Sequence, residues 1–249
     1  MSDLFDLTGK VAIVTGSSLG IGRATAEAMA AHGAKVVISS RKAEKCETVA
    51  EGIEANGGDA IVIPCHCSHK EQLQNLVDKT INEWGKIDIL VCNVGLVGSV
   101  LHMSLTSAES LSAFINTNFV ANYLICREVS KTMVSNRSGR IITLSSIMTS
   151  IHSPGTSAYS STKKALEEMT KVLAEELAPQ NITCNSVALS VMMTETVKDL
   201  GDEWLERMYE MQSIKRPLEI NELCHTISFL ASPNASAVTG QVINLCKVN

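Results

Sequence analysis

The sequence lacks the features that usually divide or export a chain. It has no Pro-, Gly- or Ser-rich linker, no block of like charge, no internal repeat and no low-complexity tract. A single domain over 1–249 is therefore the expectation. No apolar run approaches the ~20 residues needed to span a bilayer. A basic excess is also missing: net charge is −5, which argues against nucleic acid as a partner. The opening MSDLFDLTGK has neither the apolar core of a secretory leader nor the Arg-rich character of a transit peptide. The closing Lys247-Val248-Asn249 is not a peroxisomal Ser-Lys-Leu signal. A cytoplasmic, reducing location is expected. Cys65-His66-Cys67 has no second ligand pair at zinc-site spacing, so no metal is expected there. The eight cysteines fall mostly in apolar runs, as buried free thiols do.

What is present is alternation. Short β-branched runs at 11–16, 35–40, 60–64, 88–92, 140–146, 181–188 and 241–246 read as strands. Several are apolar nearly throughout, as in strands covered on both faces of a parallel sheet. Helical patterns lie between them at about 20–32, 42–55, 69–84, 107–135 (broken), 157–178, 199–211 and 219–231. Regular β-α alternation predicts an α/β, doubly wound, seven-stranded parallel sheet with helices on both faces, a Rossmann fold. Its ligand belongs at the carboxyl ends of the strands.

Two motifs occupy chemically telling places in that frame. Between the first strand and the first helix runs TGSSLGIG, Thr15 to Gly22. Gly16, Gly20 and Gly22 permit a tight turn and close approach of backbone to a phosphate, with Ser18, Leu19 and Ile21 completing the cradle. A glycine trio elsewhere would be an ordinary loop. At the start of the 157–178 helix, Tyr159 and Lys163 are four apart and share one face. A cation beside a phenol lowers its pKa from about 10 towards neutrality, which makes a proton donor. The same pairing occurs on many solvated helices.

The G-x-x-x-G-x-G spacing with Tyr-x-x-x-Lys downstream resembles the short-chain dehydrogenase/reductase (SDR) family over essentially the whole chain. Ser39-Ser40-Arg41-Lys42, Cys65-His66-Cys67 and the 153–182 stretch are most similar to NADPH-dependent carbonyl and retinal reductases of the animal peroxisomal type. The resemblance implies that Ser146, thirteen residues before Tyr159, holds a substrate carbonyl. Ser145 should point to the other face of its strand. Tyr159 would exchange a proton with the carbonyl oxygen. Lys163 would also hydrogen-bond the nicotinamide ribose, and Asn118 would continue a proton relay through water. Asn93 and Gly95 would line the cofactor, Thr194 would meet its carboxamide, and His66 with Cys67 would line the adenine pocket. Relatives are commonly tetramers, so a homotetramer or homodimer through 107–135 and 157–178 is expected.

Coenzyme choice is argued at the end of the second strand. An NAD site would place a carboxylate there. This chain has Ser40 and Arg41 instead, a hydroxyl and a fork for a 2′-phosphate. NADPH is expected over NADH.

Three places depart from the family pattern: Cys92-Asn93-Val94-Gly95 for Asn-Asn-Ala-Gly, Leu189-Ser190 for Pro-Gly, and Cys246-Lys247 for Gly-Gly. Residues 190–216 form the expected substrate loop and lid, with Met192 and Met193 among its apolar residues and Ile151, His152 and 96–100 opposite. A small apolar carbonyl or alcohol suits them, although the same stripe could be core. The expected activity is NADPH-dependent carbonyl reduction. Alternatives are alcohol or hydroxysteroid oxidation, and an NADP(H)-binding regulatory or scaffold protein without turnover.

Overall fold

A computed structural model describes residues 4–98, 100–193 and 202–248. Seven strands form one all-parallel sheet: β1 (Val11–Thr15), β2 (Lys35–Ser39), β3 (Asp59–Val62), β4 (Ile89–Cys92), β5 (Gly139–Ser146), β6 (Ile182–Leu189) and β7 (Val242–Asn244). Their order is β3-β2-β1-β4-β5-β6-β7. The order reverses direction between β1 and β4, so the loops leaving those two strands diverge and open a crevice.

The helices are α1 (Gly20–Ala31), α2 (Ala43–Ala55), α3 (Lys70–Trp84), α4 (Ala108–Phe114), α5 (Ala121–Asn136), α6 (Met148–Ile151), α7 (Ser157–Leu177), α8 (Asp202–Glu210) and α9 (Ile220–Ala231). The sheet divides its side chains by the period of two. Ala12 and Val14 of β1, Val36 and Ile38 of β2, and Ile89 and Val91 of β4 join one core with α1, α2 and α9. Ile13, Val37, Leu90 and Cys92 face the other, against α3, α5 and α7. Both faces are therefore covered, which is why these strands read as nearly unbroken apolar runs.

Two local features differ from expectation. The 107–135 helix is not broken: α4 and α5 are joined by a π-helical stretch, Ile115–Val120, with right-handed helical backbone at both junctions. Such wide turns insert an extra residue without interrupting the helix. This one carries Asn118 into the interior, fully buried. The second is the four-residue α6, which turns the chain directly after β5 and ends at His152 in the left-handed region (φ 55°). All eight cysteines are buried and unbridged. Among the described residues, no group of three or more His, Cys, Asp or Glu is arranged to hold a metal. No described helix is long and apolar enough to cross a membrane.

Candidate active site

The crevice begins where β1 ends. Gly16 and Gly20 adopt φ of 67° and 54°, a region that costs L-residues about 1–2 kcal/mol. Gly22 is required for a different reason: a Cβ there would lie 2.4 Å from the Gly16 carbonyl oxygen and 2.5 Å from Asn93 Nδ2. Leu19, at the N-cap of α1, provides no side-chain cap, so the first amides of the helix face the crevice mouth without an internal acceptor. These glycines make a backbone cradle of the kind a pyrophosphate requires.

The cradle is bolted to β4. Thr15 Oγ1 donates to the Val91 carbonyl (3.3 Å) and accepts the N–H groups of Asn93 (3.0 Å) and Val94 (3.3 Å). Asn93 Nδ2 donates to the carbonyls of Thr15 (2.9 Å) and Gly16 (3.2 Å). Ser17 Oγ accepts the Ser39 N–H at 2.8 Å, tying the turn to β2. Thr15 and Ser17 escape sequence reasoning because their partners are remote in the chain. Val94 packs against the turn: its Cγ2 is 3.3 Å from where a Cβ on Gly16 would sit.

At the other end of the crevice, β5 and α7 meet through rungs of polar contacts. Thr143 and Thr170 hydroxyls are 2.9 Å apart, Lys163 Nζ donates to the Leu144 carbonyl at 2.7 Å, and Ser145 Oγ donates to Glu167 Oε1 at 2.7 Å. Ser145 thus faces α7, away from Ser146, as strand alternation requires. Ser146 and Tyr159 line the same cavity, the Ser146 hydroxyl lowering the phenol's pKa, and Ser146 Oγ accepts the Met148 N–H at 3.3 Å. The Tyr159 ring lies edge-on to Phe114, centroids 6.3 Å apart. Gly95 leaves room for the lysine: a Cβ there would be 3.1 Å from Lys163 Nζ and 3.6 Å from Asn118 Oδ1.

Burial dominates the electrostatics. It depresses the Lys163 ammonium to about 8, while the Glu167 carboxylate works against that shift. Burial also raises the Tyr159 phenol above its ordinary value, with the Ser146 hydroxyl opposing the rise. The expectation that Lys163 pulls Tyr159 towards neutrality is therefore corrected. Lys163 donates one hydrogen bond to the Leu144 carbonyl, and desolvation of the phenolate outweighs its field at Tyr159.

Asn118 is engaged on every side. Its Oδ1 accepts the Leu96 N–H at 2.6 Å, and its Nδ2 donates to the Leu96 carbonyl (3.1 Å) and Thr162 Oγ1 (3.2 Å). Its own carbonyl accepts from Asn122 Nδ2 at 2.9 Å. It clasps the segment after β4 beside Lys163.

A cavity of about 530 Å³ joins these groups. Leu19, Gly20, Ile21, Gly22, Asn93 and Gly95 line one side of it, and Ser146, Tyr159 and Lys163 the other. Its outer wall is apolar: Leu96, Val97, Val100, Leu101, Phe114 and Trp204. Leu189, Ser190, Val191 and Met192 also line the cavity. Gln212 secures the chain's departure from the sheet, accepting the Val191 N–H at 3.1 Å and donating to the carbonyls of Ile214 (3.0 Å) and Arg216 (2.7 Å).

Three expected wall residues are not on it, Ile151 packing instead with Val191, Leu205 and Met208. His152 is exposed and set aside by the left-handed end of α6, and Met193 is 45% exposed with Tyr209 Oη donating to its sulfur. Most of the apolar stripe on α8 is core, Leu205 and Met208 packing with Val191. Thr194 lies outside the described residues.

A second cavity of about 480 Å³ continues the crevice past Leu19, Asn93, Gly95 and Leu96 to Gly16, Ser18, Ser40, Arg41, His66 and Cys67. Lys42 and Lys45 also line it, and no carboxylate does. His66 Nδ1 accepts the Ser68 N–H at 3.3 Å, and its ring packs edge-on against His69.

The fold and crevice define a dinucleotide-binding α/β protein with a Ser-Tyr-Lys group at the far end of the cofactor trench. Residues 16–246 match the family profile described as enoyl-(acyl carrier protein) reductase. The chain belongs to the short-chain dehydrogenase/reductase family and is an oxidoreductase of that family. It is 35% identical to a 3-oxoacyl-[acyl-carrier-protein] reductase of Synechocystis sp. over 96% of both chains. It is likewise 35% identical to one from Rickettsia prowazekii over 97% of both. Among solved structures, a protein described as a short-chain alcohol dehydrogenase from Sinorhizobium meliloti 1021 superposes with a TM-score of 0.89 at 27% identity, covering 97% of this chain and 96% of that one. These bacterial relatives correct the narrower likeness to animal peroxisomal carbonyl reductases. That likeness rested on short stretches around the adenine pocket, while the whole-length similarity lies elsewhere.

Proposed function

We propose that this protein is an NADPH-dependent ketoreductase, and that its substrate is an apolar 3-oxoacyl compound. The observation that carries the reading is that Ser146, Tyr159 and Lys163 stand together at the inner end of a largely apolar cavity continuous with the glycine cradle. Gly16, Gly20 and Gly22 would hold the pyrophosphate, and Ser40 and Arg41 the 2′-phosphate. A reduced nicotinamide held beside Gly95 and Lys163 would supply the hydride.

The chain's own residues do the rest. The Ser146 hydroxyl and Tyr159 phenol both donate to the substrate's ketone oxygen and hold it for attack. As that oxygen gains charge, Tyr159 passes its proton to it, and an alcohol forms. A phenol whose pKa is raised stays fully protonated at neutral pH, so it arrives at the substrate as an acid. The cost falls on the phenolate left behind, and Lys163, one helical turn away, is the cation placed to stabilise it. Phe114, edge-on to the Tyr159 ring, shields one side of the phenol. Run backwards, the same groups oxidise an alcohol.

The substrate class is supported by the activity for which the bacterial relatives are named and by the acyl-compatible wall of Leu96, Val97, Val100 and Leu101. A carboxylate-free 2′ end supports NADPH. Exposed Leu111, Ile115, Tyr123 and Val172 on α4, the π turn, α5 and α7 support assembly as a homotetramer or homodimer, which light scattering of the purified protein tests. Turnover of a 3-oxoacyl thioester, small ketones and aldehydes with NADPH tests the activity. Tight NADPH binding without turnover of any of them would establish a regulatory nucleotide-binding protein instead.

A further inference from the structure

Glu167 has no place in the reading above, and its surroundings are unusual. It is 1% exposed, where an aliphatic residue would avoid the cost of desolvating a charge. It lies four residues beyond Lys163 and eight beyond Tyr159, on the same face of α7. Its Oε1 accepts Ser145 Oγ at 2.7 Å and Thr149 Oγ1 at 2.8 Å, and its Oε2 accepts Lys164 Nζ at 2.9 Å. Thr149 Oγ1 also lies 2.8 Å from the Ser146 carbonyl. The carboxylate thus grips the chain on both sides of Ser146, at the last strand residue before it and on the helical turn after it.

We infer that Glu167 is a positioning residue for the reduction, acting through Ser145 and Thr149 to hold Ser146 against Tyr159. The inference rests on the reductase reading. Ser146 sits where β5 ends and α6 begins, a point at which the backbone changes direction and sheet hydrogen bonding stops. Without the grip, rotation of the Ser145–Thr149 turn moves the Ser146 hydroxyl relative to the phenol, and misplacement of about 1 Å costs on the order of 100-fold. Charge adds a second effect: of the titratable groups that face Lys163, the Cys92 thiol of β4 stays protonated, and the Glu167 carboxylate of the same helix opposes the loss of the Lys163 proton.

Three substitutions separate the roles. Glu167→Ala removes grip and charge, and kcat should fall roughly 10- to 100-fold with the NADPH dissociation constant little changed; the melting temperature should also drop, because the buried Ser145 and Thr149 hydroxyls lose an acceptor. Glu167→Gln keeps an oxygen acceptor for both hydroxyls and removes only the charge. It should lose far less kcat than Ala, while the alkaline limb of kcat/KM moves down by about half a pH unit or more. Ser145→Ala, which leaves the carboxylate in place, should give a smaller loss in the same direction. Unchanged kcat in Glu167→Ala, or a Gln variant with an unmoved limb, would overturn the inference.

If the wild-type protein reduces no carbonyl, the reductase reading fails by itself, and the phenol reports on Glu167 directly. The phenolate absorbance of Tyr159, isolated by subtracting Tyr159→Phe, should then rise at higher pH in Glu167→Ala than in the unsubstituted protein, because the Ser146 hydroxyl is held less firmly. Identical titrations would count against the positioning role.

Discussion

The two ends of the crevice are built on opposite principles. At the inner end, Ser145, Lys163, Glu167 and Asn118 are buried and interlocked through hydrogen bonds of 2.6–3.2 Å. At the outer end, Arg41, Lys42 and Lys45 are exposed cations around an open hollow. A buried polar network is costly to disturb, since each orphaned group forfeits its solvation. An exposed cation acts through a screened field and is easily exchanged. On the reading proposed above, the chemistry would be held by structure that resists change, and coenzyme preference by side chains that tolerate it.

The contrast can be broken from the inner end first. Tyr159→Phe retains the ring against Phe114 and removes the acid. Turnover should fall by about 10³-fold, while nicotinamide fluorescence shows NADPH still bound. The cradle comes next. In Gly22→Ala the new methyl would lie 2.4 Å from the Gly16 carbonyl, and overpacking of this kind costs about 1–3 kcal/mol. A melting curve should show the loss, and a titration should show NADPH binding weakened by more than about tenfold. Survival of normal binding would mean that the phosphates rest elsewhere.

Arg41→Asp probes the outer end. Loss of a charge-assisted fork and gain of repulsion amount to about 2 kcal/mol, so NADPH should bind roughly 30-fold more weakly. NADH affinity should change less than about threefold, and the NADPH effect should shrink as salt is raised. Equal weakening of both coenzymes would place the 2′-phosphate away from Arg41.

The pH dependence is the mildest test. Because the Lys163 pKa falls from 10.5 to about 8 in the folded protein, the cation is lost as pH rises through about 8, and kcat/KM should decline above it. Stability should run the other way. Between about 8 and 10.5 the unfolded chain holds the proton and the folded one does not, so this group's contribution to unfolding free energy rises with pH across that window. Chemical denaturation at pH 8 and 10 measures that contribution against Lys163→Met, in which the rise should be smaller.

Much of the fold was legible because its signals are local. β-branched runs, the glycine turn and the i,i+4 spacing of Tyr159 and Lys163 depend on neighbours a few residues away. Boundaries shifted only slightly, as in β7, expected at 241–246 and formed over Val242–Asn244. The site was partly legible. Ser146, Tyr159, Lys163 and Asn118 do come together, and Gly16, Gly22, Asn93 and Gly95 meet across β1 and β4. His152 and Met193 were misplaced because the left-handed turn after α6 and the exit from β6 are set by contacts such as Gln212 with Val191, which have no pattern in the chain.

The sequence by itself determined the alternating α/β order, the two covered faces of the sheet, the backbone cradle and the pairing of phenol and ammonium on one helix face. Each follows from periodicity or from the φ a glycine permits. Only the tertiary structure decided what those groups are chemically. Burial raised the proton affinity of Tyr159 where spacing alone had it lowered, and depressed that of Lys163, because desolvation depends on everything packed around a group. The π turn that turns Asn118 inward and the carboxylate of Glu167 beneath Ser146 are decided in the same way, by surroundings assembled from remote parts of the chain.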